Sequence, residues 1–145
     1  MLTVKYIETK DEYRSALAIR EAVFIVEQHI DRNEEMDHYE DVSTHIIALM
    51  NNQIVGTARW NMRDEGVKLE RFSVLKPFRN KGIGSALLQF SLNELSEESN
   101  IYLNAQEKVI SFYEKYNFKG EGNLFYEANI PHLKMVYHKF NEDSD

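Results

Sequence analysis

Residues Leu69–Leu88, LERFSVLKPFRNKGIGSALL, carry an apolar, strand-like run through Arg79-Asn80-Lys81-Gly82-Ile83-Gly84 into an amphipathic helix. No other segment limits the fold as much. The helical stripe Ile83, Leu87, Leu88, Leu92 and Leu95 needs an apolar face to cover, and it ends near the polar run Ser96–Asn100. Ile101–Ala105 then reads as a returning strand, so the spacing predicts a right-handed strand, helix, strand crossover. The junction is also a seat for a phosphate. Amides at a helix start point outward, glycines admit a ligand closely, and the helix dipole favours an anion.

The segments around it predict a sheet with helices on its faces. Leu2–Ile7 alternates like a strand, and Thr9 with Glu12 forms a capping-box pattern that opens a helix striped by Tyr13, Ala16, Leu17, Arg20, Val23 and Phe24. Arg20 falls on the apolar face, where either its stem packs and its head reaches water or a carboxylate, or it stands beside a ligand pocket. His29–Ser43 is acidic and aperiodic, and reads as a long loop with room for a helical turn; loops of that length are often functional, although a charge run by itself is usually solvated surface. Thr44–Met50, the turn Asn51-Asn52 and Gln53–Arg63 predict a hairpin, and Val67–Val74 a third strand after Asp64-Glu65-Gly66. Arg59 and Trp60 on the second of these strands read as a surface charge and sheet packing. Val109–Tyr116 predicts a short helix closing at Asn117, with two further strands near Leu124–Glu127 and Leu133–Lys139, Pro131 between them, and a frayed end from Asn141 to Asp145.

Several functions are disfavoured by composition. A single domain spanning 1–145 is expected, with 43% hydrophobic residues to build its core. The formal net charge of −7 argues against a nucleic-acid partner. The chain has no cysteine, which removes thiolate chemistry and suits a reducing, cytoplasmic setting. Apolar runs such as Ile46–Met50 are too short to span a bilayer, so no membrane partner is expected. His29, His38, His45 and Asp37 match no short metal-ligand spacing, and no metal is expected.

Two glycines in a turn specify little alone, and the pattern is neither the dinucleotide fingerprint nor a Walker loop. Its company is more telling: a strand before, a helix after, and Arg79 and Lys81 inside the turn of an acidic chain. Val74 through Leu88, with Arg79-x-x-Gly82-x-Gly84 five residues past the strand-end valine, resembles the acyl-CoA-binding motif of the GNAT superfamily of N-acetyltransferases. Phe112-Tyr113-Glu114-Lys115 followed by Asn117-Phe118 is similar to a second landmark of that superfamily. Asn117 stands where glycine is usual, and Pro77 is displaced. Arg20-x-x-Val23-Phe24-x-x-Glu27-Gln28, Gly56-x-x-Arg59-Trp60, Asn104-Ala105-Gln106 and Ile130-Pro131-His132 resemble one bacterial branch, so the similarity covers roughly residues 16 to 139. More distantly, the N-terminal half resembles acyl-homoserine-lactone synthases, which are longer chains.

The resemblance implies an α/β fold, with a mixed, mostly antiparallel sheet of six to seven strands flanked by about four helices. It implies acetyl transfer from acetyl-CoA to a primary amine by direct attack in a ternary complex. The amides around Lys81, Gly82, Ile83, Gly84 and Ser85 would hold the CoA pyrophosphate, with Asn80 in the turn and charge from Arg79 and Lys81. Phe72, Ser73 and Val74 would offer backbone groups to the pantetheine arm, and the Val74 N–H would donate to the thioester oxygen. Asn104 and Phe112 complete the expected cofactor side. Tyr113 is the candidate acid for the departing thiolate, a phenol near pKa 10 against a thiol near 8.5 being taken as favouring donation. Glu70 is the candidate base, directly or through water, and an even spacing of four puts it on the face of Val74 unless a bulge intervenes. His132 is the rival base. Arg20, Glu27, Gln28, Asp37 and His132 are the candidate acceptor side, where an acidic rim suits a cationic amine. Another reading is a CoA-binding sensor module without turnover. The acceptor, the acyl-chain preference and the choice of monomer or homodimer stay open.

Overall fold

The computed structural model describes residues 1–139, so the expected fraying of Asn141–Asp145 lies outside the described residues. Strands β1 (Leu2–Tyr6), β2 (Thr44–Met50), β3 (Gln53–Arg63), β4 (Gly66–Val74), β5 (Ile101–Gln106), β6 (Phe118–Glu127) and β7 (Ile130–Tyr137) are hydrogen-bonded in the order β1-β2-β3-β4-β5-β7-β6. The sheet is mixed and mostly antiparallel, as expected. Helices α1 (Lys10–Arg20), α2 (Arg32–Glu35), α3 (Ile83–Glu94) and α4 (Ile110–Glu114) join it. Contacts divide the chain into two compact units, Met1–Asn61 with Leu69–Glu97, and Met62–Lys68 with the residues from Glu98 onward.

In the first unit, local signals set most boundaries. Thr9 caps α1 by accepting from the Glu12 N–H at 3.1 Å, and Glu12 Oε1 returns the bond to the Thr9 N–H at 3.2 Å. Past Arg20 the helix widens into a π-helical stretch over Glu21–Glu27, a departure from the regular helix that the apolar stripe predicts. Ile19, Val23 and Phe24 form a buried cluster with Ile30, Ile54 and Leu75 packed on it. β1 and β2 pair antiparallel from Leu2↔Met50 to Tyr6↔Ile46, and β2 pairs with β3 from Thr44↔Trp60 to Met50↔Gln53. Asn51 and Asn52, at φ 51° and 71°, make the two-residue left-handed turn that such a hairpin requires. Gly56 leaves room for α3, since a Cβ there would lie 3.1 Å from Ile83 and 3.2 Å from Leu87. The acidic stretch is a long connection that holds short helical turns: Asp31 caps α2 by accepting the Asn33 N–H at 2.8 Å, and a single 3₁₀ turn spans Glu40–Val42.

In the second unit, the Val67 N–H donates to Asn100 O at 2.9 Å, β5 pairs antiparallel with β7, and β7 with β6. Ile101, Leu103, Phe118 and Met135 are its buried centre. Both C-terminal strands are longer than the sequence pattern suggests. β6 begins at Phe118 because Gly120 fits under Leu133, and Pro131 lies inside β7 at its second residue, where a missing N–H is tolerated.

At Gly66, with φ 133°, a side chain would collide with the backbone of Asn100. Gly82, with φ 81°, has open space around it. Gly66→Ala is therefore expected to lose about 2 kcal/mol or more in urea unfolding, against about 1 kcal/mol for Gly82→Ala, which meets backbone strain alone.

Candidate active site

The turn between β4 and α3 is shaped by its glycine and asparagine. Asn80 and Gly82 adopt left-handed φ values of 65° and 81°, and α3 opens at Gly82 without a side-chain cap. The bond from the Ala86 N–H to Gly82 O at 3.0 Å starts the helix, so the amides of Ile83 and Gly84 face out of its end. Arg79 braces the turn: its Nε donates to Val74 O at 2.9 Å, and its two Nη atoms donate to the Glu27 carboxylate at 3.0 and 2.8 Å. Glu27, expected on the acceptor side, is thus bound to Arg79 at the seat. Gln28 follows it at the end of the π-helical stretch.

A charge cluster occupies the same unit. Arg20, Arg59 and Arg71 face Glu35, Asp37, Glu40 and Glu70. Arg20 Nε donates to Glu35 at 2.5 Å and its Nη1 to Glu40 at 2.8 Å; Arg59 donates to Glu40 at 2.6 Å and to both oxygens of Asp37 at 2.9 Å. Tyr13 also donates to Glu40. Arg59 is 1% exposed, which corrects its reading as a surface charge: β3 is covered over most of its length, so a side chain from its middle cannot reach water. Glu35 and Glu40 are buried as well, although they belong to a stretch that reads as a solvated loop. A lone cation in a continuous buried strand, preceded by acids without periodicity, was the signal available for this cluster.

Glu70 closes the cluster. Its Oε1 accepts from Asn61 Nδ2 at 2.8 Å and from Arg59 Nη2 at 3.3 Å, while Arg71 Nη1 lies 3.5 Å from Oε2. Arg71 sits inside β4 at φ 59°, a left-handed residue of the kind that makes a bulge, and Leu69 and Glu70 are consecutively buried. The proviso attached to Glu70 and Val74 sharing a face therefore applies. Arg71 holds its position through donations to the carbonyls of Glu34 and Glu35, at 3.2 and 3.0 Å.

Burial alone would raise the Glu40 carboxyl, but hydrogen bonds from Arg20 and Tyr13 and the charge of Arg20 overcome it and hold Glu40 down at about 2. Asp37 is lowered in the same way, burial opposing it while Arg59 and then Arg71 stabilise the anion. Burial pushes His45 below its ordinary value, Glu40 notwithstanding.

The second unit contains the remaining candidates. Tyr113 on α4 is buried, with Phe112 edge-on at 5.1 Å and Phe118 at 5.8 Å. Burial pushes its hydroxyl well above the ordinary tyrosine value. This overturns the expectation that proton donation is favourable. A proton passing from a phenol near 10 to a thiolate whose acid is near 8.5 moves uphill by about 2 kcal/mol, and burial widens the gap. Asn104 on β5 donates to Glu127 at 3.5 Å, and His132 on β7 is buried against Phe125.

A family model described as an acetyltransferase (GNAT) domain matches residues 9–139. The chain belongs to the GNAT acetyltransferase family. It is accordingly an N-acetyltransferase. It is 35% identical over 133 residues to a Bacillus subtilis protein described as the uncharacterized N-acetyltransferase YjcF, covering 89% of this chain and 94% of the relative. Among solved structures, an acyl-CoA N-acyltransferase from Pseudomonas aeruginosa has a TM-score of 0.82 at 25% identity, over 95% of this chain and 99% of that one. An Elizabethkingia anophelis GNAT acetyltransferase with acetyl-CoA bound shares the fold, with a TM-score of 0.63 at 18% identity over 93% and 94% of the two chains. The outward amides, the space at Gly82 and the exposed Lys81 fit an anionic cosubstrate of that kind.

Glu40 ties the cluster to pH. Its folded value lies below the ordinary 4.5, so its contribution is complete above that value and disappears as pH falls toward about 2. Urea midpoints should drop across that window in the wild type and less steeply in Glu40→Gln. At neutral pH, Arg59→Met should cost about 3–5 kcal/mol, because Asp37, Glu40 and Glu70 lose their shared cation.

Proposed function

We propose that this GNAT acetyltransferase transfers the acetyl group of acetyl-CoA to the primary amine of a small molecule, by direct attack while both are bound. The observation that carries the reading is the uncapped start of α3 at a left-handed, open glycine, directly after the end of β4. Amides from Lys81 to Ser85 hold the pyrophosphate, and Lys81 adds charge. Arg79 contributes by exchanging Glu27 for a phosphate, since both anions suit its fork. Phe72, Ser73 and Val74 present backbone groups to the pantetheine, and Asn104 and Phe112 line it. The Val74 N–H donates to the thioester oxygen as negative charge develops there. Arg79 Nε, on the Val74 carbonyl, fixes that peptide.

Tyr113 gives a hydrogen bond to the departing sulfur. Complete proton transfer from the phenol is uphill, and a hydrogen bond that strengthens with charge on sulfur lowers the barrier without it. Two groups offer a base for the amine. Glu70 accepts from Asn61 and Arg59 at Oε1, so a further proton would go to Oε2, which faces Arg71. His132 is the other. Arg20 and Asp37 shape the acceptor side through the charge cluster.

Thermal shift with acetyl-CoA and thiol release over a panel of primary amines test the reading. Acetyl-CoA at a hundred times its Kd should stabilise the protein by about 2.7 kcal/mol. Gly82→Val should abolish that shift while remaining folded. Tyr113→Phe should lower kcat by about 10–100-fold and leave the KM for acetyl-CoA nearly unchanged. Stabilisation without release for any amine would point instead to a CoA-binding module, and no stabilisation would remove the reading altogether.

A further inference from the structure

His132 and Glu127 are arranged as a pair. The His132 Nδ1 lies 2.7 Å from Ile130 O, an acceptor only, so Nδ1 carries the proton and Nε2 presents a lone pair. Pro131, between the two residues, fixes the backbone that brings this carbonyl to the ring. The side chain is 9% exposed and stacked on Phe125 at 5.9 Å and 25°, which fixes the ring plane. Glu127 Oε2 stands 3.9 Å from Nε2, and Asn104 Nδ2 donates to Oε1 at 3.5 Å. The carboxylate thus has a donor in Asn104 and faces the Nε2 lone pair, which leaves a place for a cation between them, and its side chain stays 49% exposed. The turn that carries it is costly. Ala128 and Asn129 both take left-handed φ values, 50° and 62°, between Glu127 and Ile130. For alanine this conformation is strained by roughly 1–2 kcal/mol.

An exposed carboxylate beside a buried imidazole lone pair has a specific chemistry. The first binds an ammonium, and the second, an acceptor turned toward it, removes one of its protons. We infer that Glu127 and His132 form the acceptor site of the proposed reaction, Glu127 binding a primary alkylammonium and His132 Nε2 acting as the base. The inference rests on the acetyl-CoA reading only for what happens after deprotonation. His132 takes one proton from the ammonium, and the neutral nitrogen attacks the thioester carbon as a C–N bond forms. The adduct collapses with loss of the C–S bond, and the second nitrogen proton passes to the thiolate. His132 then releases its proton to solvent, so ammonium and thioester give amide, thiol and one proton.

Imidazole nitrogen NMR on the whole protein tests the pair without requiring turnover. The His132 signals should report the Nδ1-protonated tautomer and shift on titration with butylamine. In Glu127→Gln the same shift should need about fivefold more butylamine. An Nε2-protonated ring, an absent shift, or equal titrations of the two proteins would overturn the inference. Thermal shift with acetyl-CoA on the same samples reports separately on the donor: if acetyl-CoA fails to bind while butylamine titrates His132, the donor reading falls and the ammonium site stands. Where an amine is turned over, His132→Gln should lower kcat/KM about 100-fold, and far less for a weakly basic amine such as trifluoroethylamine, which arrives already neutral. Equal losses for the two amines would reduce His132 to a structural role.

Discussion

Two buried guanidinium groups, Arg20 and Arg59, with the partly buried Arg71 beside them in one unit, impose a requirement that the surrounding chain must meet. An unpaired charge out of water costs several kcal/mol, and arginine cannot escape by losing its proton. Arg20 comes from the end of α1, Arg59 from the middle of β3 and Arg71 from a left-handed position in β4, while Glu35, Asp37 and Glu40 come from one connecting stretch. That stretch is therefore pinned to a helix and two strands by charge, where its sequence lacks the apolar residues to do so by packing. Well-packed hydrophobic residues would serve stability equally well. What the ions add is position, since each carboxylate has one geometry that satisfies two cations. Glu70 is placed by the same set, between Asn61 and Arg59.

The phosphate seat depends on a different kind of constraint, close approach. Gly56 on β3 lets α3 settle against the strand, and Gly82 turns the chain so that the helix amides lead outward. Arg79 ties this turn back to Val74 O and across to Glu27. The π-helical stretch that ends at Glu27 is thereby linked to the seat by a two-pronged ion pair. An anion that took both of these Arg79 donors would displace that carboxylate and so reach the end of the first helix.

Much of the fold was legible because its signals are local. The Thr9–Glu12 capping box, the Asn51-Asn52 turn and the stripe from Ile83 each act over a few residues and need no partner elsewhere in the chain. The charge cluster was not legible, since Arg59 meets Glu40 only through tertiary contact and a charge in sequence reads as surface by default. The left-handed backbone at Arg71 was not legible for a related reason. A left-handed arginine has no sequence signature, and its φ is maintained by carbonyls of residues 34 and 35. β6 was underestimated because glycines weaken strand patterning, although Gly120 is there to admit Leu133.

The relative acidities of phenol and thiol decide how the proposed reaction divides its protons. Were Tyr113 to surrender its proton, it would be left as a buried phenolate, the least favourable charge in its surroundings. The nitrogen that has just attacked is a far stronger acid than an ordinary amine cation, and it must lose a proton for the amide to form. That proton suffices to neutralise the sulfur. The tyrosine then needs only to donate a hydrogen bond, and the net proton of the reaction leaves from the acceptor side. A base is accordingly required where the ammonium first binds. In the second unit, the exposed carboxylate of Glu127 and the oriented lone pair of His132 meet that requirement together.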